Sequence, residues 1–105
     1  MLFRSIGVAV QELTPELAES FKLNSQQGVL ISEVVRGSPA NNAGVQPGDI
    51  LTSVDNKPLT DSSVMLETIS NLLPGKMVPL KLLRNQQEVI VQVTVGKRPL
   101  SKVRE

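Results

Sequence analysis

The sequence predicts an α+β domain, a small, partly open antiparallel barrel or sandwich of five to six short strands capped by two main helices. Three observations carry this. Residues 78–84 and 88–95 alternate with period two, which places Val89, Val91, Val93 and Val95 on one face. Residues 61–75 carry Met65, Leu66, Ile69, Leu72 and Leu73 at the i, i+3, i+4 spacing of one helical stripe. Between the periodic segments lie runs dense in Gly, Pro, Asn, Asp and Ser, the residues of tight turns.

The elements follow in order. Residues 1–5 join no periodic pattern and read as a lead that is either a linker or not native. Residues 6–11 read as a strand. Residues 14–21 read as a short helix: Thr14 can cap it, Pro15 suits the first helical position, and Glu16 faces the positive end of the dipole. Leu17 and Phe21 stand four apart on one face. Residues 28–35 form a strand rich in β-branched side chains. In the turn-rich stretch 36–49, Ser38-Pro39 opens a single helical turn that Gly44 ends. Residues 50–56 are a short strand, and Asp55-Asn56 turns the chain. Asp61 or Ser62 caps the long helix, and Pro74-Gly75 stops it. Asn85-Gln86-Gln87 joins the last two strands as a hairpin. The domain is expected over 6–97, with 98–105 as a charged tail.

Composition excludes several functions. The chain has 105 residues, the length of one domain, and a formal net charge of +1 with no basic tract. Its only aromatics are two phenylalanines, so neither an electrostatic nor a stacking platform for nucleic acid exists. No apolar run approaches the roughly 18 residues of a membrane span. With no cysteine and no histidine, the chain can form no disulfide, no thiolate or imidazole metal site, and no Ser-His-Asp or Cys-His triad. Phosphate-loop and nucleophile-elbow spacings are missing. Serine and lysine are present, but nothing pairs them. Glu12, Glu16 and Glu19 cluster near one helix face, where solvation is their ordinary role. No catalytic residue, metal or cofactor is predicted.

What remains is backbone chemistry. In SIGVAVQ, residues 5–11, a glycine stands between two aliphatics at the start of a strand. Two readings fit: an ordinary bend, or a nest whose successive amides hold a carboxylate without any basic side chain. The second also needs an open strand edge that accepts an extended peptide and an apolar helix beside it. An edge already filled by the domain's own strand would remove that role. Spacing alone does not bring residues 61–75 to the loop.

The segments IGVAVQELTPELAESFKL, GVLISEVVRGSPANNAGVQPGDIL, SVDNKPL, the helix ending in LLPG, and VPLKLLRNQQEVIVQVTVGKRP resemble the first PDZ domain of the bacterial HtrA/Deg periplasmic serine proteases. The resemblance covers residues 6 to about 99. It implies a PDZ-like fold. It also implies that Ile6, Gly7 and Val8 form the carboxylate-binding loop and that Val8, Ala9, Val10 and Gln11 pair with the peptide. Ile6, Val8, Leu66 and Ile69 would line the pocket for the last ligand residue, with Met65 at its margin. Where the family has Arg-Gly and an aromatic before the loop, this chain has Arg4-Ser5. Family members that select Ser or Thr two residues before the end use a helix histidine; lacking one, this chain is expected to prefer apolar residues. Gly7→Val is expected to abolish binding and spare the fold.

The implied partners are C-terminal peptides of misfolded or outer-membrane proteins and an attached trypsin-like protease domain, in the periplasm. The alternatives are an assembly module with an unused groove and a PDZ domain from another bacterial protease class.

Overall fold

The structure, a computed structural model, describes residues 2–3, 5–20, 22 and 27–96. Among the described residues there are seven strands, β1 (Leu2–Phe3), β2 (Val8–Glu12), β3 (Val29–Val34), β4 (Ile50–Val54), β5 (Lys57–Pro58), β6 (Met77–Arg84) and β7 (Gln87–Thr94). Its three helices are α1 (Pro15–Ser20), α2 (Pro39–Ala43) and α3 (Ser62–Ser70). The strands pair antiparallel in the order β1-β2-β3-β4-β6-β7, with β5 paired to β4. This is the α+β architecture the sequence predicts; the strands beyond the expected count are the two-residue β1 and β5.

Local chemistry accounts for most elements. Thr14 Oγ1 accepts from the Leu17 amide at 3.1 Å and starts α1. Ser38 caps α2 by accepting from the Asn41 amide at 3.2 Å, and Gly44 closes that helix in the left-handed region at φ 97°. Asp61 caps α3, accepting from the Val64 amide at 3.0 Å. Asp55-Asn56 and Asn85-Gln86 both turn with positive φ, at 51° and 67° and at 53° and 67°. Paired positive φ values are what a two-residue hairpin of primed type demands.

The core is aliphatic. Val8, Val10, Val29, Ile31, Leu51, Val54, Met65, Val78, Leu80, Leu82 and Val93 are buried in one cluster. A smaller cluster of Leu13, Leu30 and Ile50 is packed by Leu17 and Leu83. The proposed Leu17–Phe21 pair cannot be followed, since Phe21 lies outside the described residues, as does the expected tail 98–105.

Three expectations are corrected. The long helix ends at Ser70, with Asn71 as its C-cap, rather than running to Gly75. Its stripe is split: Met65, Ile69 and Leu72 are buried, whereas Leu66 is 48% and Leu73 70% exposed. Residues of the patternless lead join the sheet, because Leu2 and Phe3 pair with Ala9 and Val8.

Candidate peptide groove

The loop Ser5-Ile6-Gly7 is held from behind by its carbonyls. Ser5 O accepts from the Gly96 amide at 2.7 Å, Ile6 O from the Ala40 amide at 2.9 Å, and Gly7 O from the Val35 amide at 2.8 Å. A trans peptide unit directs its N–H opposite to its carbonyl. Three consecutive carbonyls, spent on Gly96 beyond β7, on α2 and on the residue after β3, therefore turn the amides of Ile6, Gly7 and Val8 away from those partners. Gly7 adopts φ 84° to make this possible, and the site of its missing Cβ is filled by the Ser38 side chain. Ser38 also donates from Oγ to Gly7 O at 3.4 Å.

Two of those amides meet the same acceptor. Gly7 N–H donates to Phe3 O at 2.7 Å, and Ile6 N–H reaches it at 3.4 Å. β1 runs antiparallel to β2 in the register Leu2↔Ala9 and Phe3↔Val8. The Phe3 side chain is 4% exposed and belongs to the cluster that contains Ile6, Val8, Met65 and Ile69. The expectation of an unoccupied edge on β2 is therefore overturned: at Val8 and Ala9 that edge carries the domain's own strand.

The other residues singled out in the sequence distribute as follows. Ile6, Val8, Val10 and Ile69 are buried, Ala9 is half-buried and Gln11 is exposed. Met65 is fully buried, a core residue rather than a marginal one, and Leu66 stands outward on the same helix. At the far end of β2, Glu12 reaches α3: its Oε1 accepts from the Ser62 amide at 3.1 Å and its Oε2 from the Ser62 hydroxyl. This brace ties the strand to the helix beside it.

Sequence reasoning did not find the parts played by Phe3, Ser38 and the Glu12–Ser62 brace. Ser38 carried a signal, as the start of α2, but its contact with a glycine 31 positions earlier is purely tertiary. Two surface hollows among the described residues, about 540 and 380 Å³, are lined by Asp49, Arg84 and their neighbours and by α2 with the end of β7. Neither is lined by the amide loop or by α3.

A loop of backbone amides at the start of β2, β1 seated antiparallel beside it, and α3 tied to the far end of the same strand are the parts of a small binding module. The chain belongs to the PDZ family, whose domain model matches residues 5–95. It is a binding module; the protease domain of its relatives is no part of it. It is 38% identical over 94 residues to a probable periplasmic serine endoprotease DegP-like of Hahella chejuensis, covering 90% of this chain and 20% of that protein. It is 39% identical over 90 residues to the periplasmic pH-dependent serine endoprotease DegQ of Escherichia coli K12, covering 86% of this chain and 20% of that one. The chain thus spans about a fifth of the length of these relatives. Among solved structures it resembles the HtrA-type protease AlgW with a decapeptide, at 36% identity and a TM-score of 0.80 over 90% of this chain and 29% of that chain. It also resembles the HtrA3 PDZ domain bound to the phage-derived ligand FGRWV, at 28% identity and a TM-score of 0.73 over 90% of this chain and 86% of that one.

Proposed function

We propose that this domain captures the C-terminal segment of an extended polypeptide as a strand on β2, in the place that β1 holds at Val8 and Ala9. One observation carries the reading: the amides of Ile6 and Gly7 converge on a single carbonyl of a strand lying antiparallel on Val8 and Ala9. A terminal carboxylate in that position would meet the same donors and bring a full charge to them. Charge-assisted hydrogen bonds of this kind contribute about 1.5–3 kcal/mol each. The last side chain of the ligand would enter the region now holding Phe3, among Ile6, Val8 and Ile69, with Leu66 at the rim. Burying one such side chain contributes about 1.5–3 kcal/mol. Association costs several kcal/mol against this, so micromolar affinity is expected.

The related structures with bound peptides support the ligand class. The names of the relatives support a setting in the periplasm, within a longer serine protease; in that setting the module would regulate the attached protease domain. Its partners there would be exposed apolar C-termini of misfolded or outer-membrane proteins. A second reading has an observation of its own. Because β1 already fills the edge of β2, the groove could go unused and the domain serve assembly instead.

Titration calorimetry separates them. The chain should bind an apolar peptide with a free C-terminus about tenfold or more tightly than the same peptide C-terminally amidated, the loss of one charge-assisted bond. Equal affinity for both forms would refute carboxylate capture. Failure to bind either, together with a concentration-dependent dimer in size-exclusion chromatography, would favour assembly.

A further inference from the structure

We infer that the Leu2–Phe3 strand is a built-in competitor for the peptide site, a self-ligand that must leave before a partner binds. The inference rests on the peptide-capture reading above. Four features make the strand a ligand in form. It runs antiparallel to β2, in the register Leu2↔Ala9 and Phe3↔Val8. The Phe3 carbonyl takes the amides of Ile6 and Gly7, the donors assigned to a carboxylate. The Phe3 side chain is buried with Ile6, Val8 and Ile69. Its backbone then continues into the loop, so the acceptor it offers is a neutral amide carbonyl.

Two further features make it displaceable. β1 is two residues long and lies at the end of the strand order, paired in the sheet with β2 alone. Its departure breaks no other strand pair. β7, at the opposite end, pairs with β6 over eight residues. The exchange also has a direction. An incoming peptide with two apolar residues before its end makes the same strand pairing and presents a carboxylate where Phe3 presents a carbonyl. Charge-assisted bonds are roughly twice as strong as neutral ones. The tethered strand has the advantage of high effective concentration, the free peptide that of charge. Apparent affinity is then reduced by the fraction of molecules whose edge is vacant.

Two variants test this with a short synthetic peptide ending in free Leu-Phe. In Phe3→Ala the self-ligand loses its anchor, and affinity should rise about tenfold relative to the parent chain. The double variant Leu2→Cys/Ala9→Cys pairs directly opposed residues, whose Cβ atoms an antiparallel ladder brings within disulfide reach, in a chain with no other cysteine. Oxidation should lock the strand in place and lower peptide affinity more than about tenfold; reduction of the same sample should restore it. Because both states are one protein, a folding defect cannot imitate the difference. Equal binding in the oxidised and reduced states would overturn the competitor and leave peptide capture standing. Failure of the two thiols to join under oxidant would overturn the register on which the inference stands. Absence of binding by the parent, the reduced pair and Phe3→Ala alike would overturn peptide capture itself and the competitor with it.

Discussion

Single residues divide into those that hold the fold and those proposed to meet a ligand. Met65 and Leu66 are neighbours in sequence, yet one is fully buried and the other 48% exposed. Met65→Ala should cost about 2–5 kcal/mol in urea unfolding, the range for truncating a core side chain. Leu66→Ala should stay within about 0.5 kcal/mol of the parent and weaken peptide binding in calorimetry; a large stability loss would place it in the core instead. Gly7 belongs to both groups. The sequence suggested that Gly7→Val would spare the fold, but Ser38 stands where the new Cβ would go and φ is 84°. Positive φ at a β-branched residue and overpacking each cost about 1–3 kcal/mol, so Gly7→Val should lower stability by about 2–4 kcal/mol. An unchanged urea midpoint would contradict the contact with Ser38. Phe3 is finely balanced. Its burial is worth about 2–3 kcal/mol and its hydrogen bonds about 1 kcal/mol each. Ordering the two residues of β1 costs about 1–2 kcal/mol apiece, which offsets most of that gain, as an exchangeable strand requires.

At the scale of elements, two polar ties position the site from outside the core. Asp49, 2% exposed just before β4, accepts from Arg84 Nε at 2.8 Å and Nη2 at 2.7 Å, and from the Gln46 amide at 2.9 Å. Arg84 Nη2 also donates to Gly44 O at 2.9 Å, joining the end of α2 to β6. The hydrogen bond to Asp49, and then its charge, hold the Arg84 guanidinium above its usual pKa against the opposing effect of burial. Removing one partner of a buried pair costs about 3–5 kcal/mol. The Arg84 side chain is partly exposed and water screens it, so Asp49→Ala should cost about 2–3 kcal/mol, read as a lower urea midpoint. The second tie is Glu12 to Ser62, and Glu12→Ala should cost about 1 kcal/mol or slightly more. These ties were not legible in the sequence. Glu12 and Ser62 are 50 residues apart, Asp49 and Arg84 are 35 apart, and no local spacing joins them. β1 was hidden because two residues carry no period, and one Phe–Val pairing made by the folded core decides them. What was legible is what local chemistry dictates: the period-two strands, the caps at Thr14, Ser38 and Asp61, and the Asn85-Gln86 turn. The end of α3 was overread because Leu72 and Leu73 continue an apolar rhythm after the backbone has left the helix; the residue before Pro74 is biased away from helical geometry.

For the whole molecule, the distinguishing property of the proposed anion site is that, among the described residues, its donors are main-chain amides and not a cationic side chain. The chain carries a formal net charge of +1, and the donors facing the carboxylate position are main-chain amides of a loop between β1 and β2. Their partial charges act at hydrogen-bond distance, well inside the roughly 8–10 Å over which physiological salt screens. The loop residues Ile6, Gly7 and Val8 are themselves buried. A site that drew its ligand with surface lysines would lose affinity steeply as salt rises. Here the Kd for a free-carboxylate apolar peptide should change by less than about threefold between low and high salt, while amidation of that peptide still costs about tenfold. The two measurements together separate short-range amide capture from long-range attraction. A steep salt slope would assign the carboxylate to a basic side chain and displace the loop from its role. A flat slope with no amidation penalty would mean that the groove reads only the apolar side chain. In either of those cases the convergence of Ile6 and Gly7 on Phe3 would be a feature of the hairpin alone.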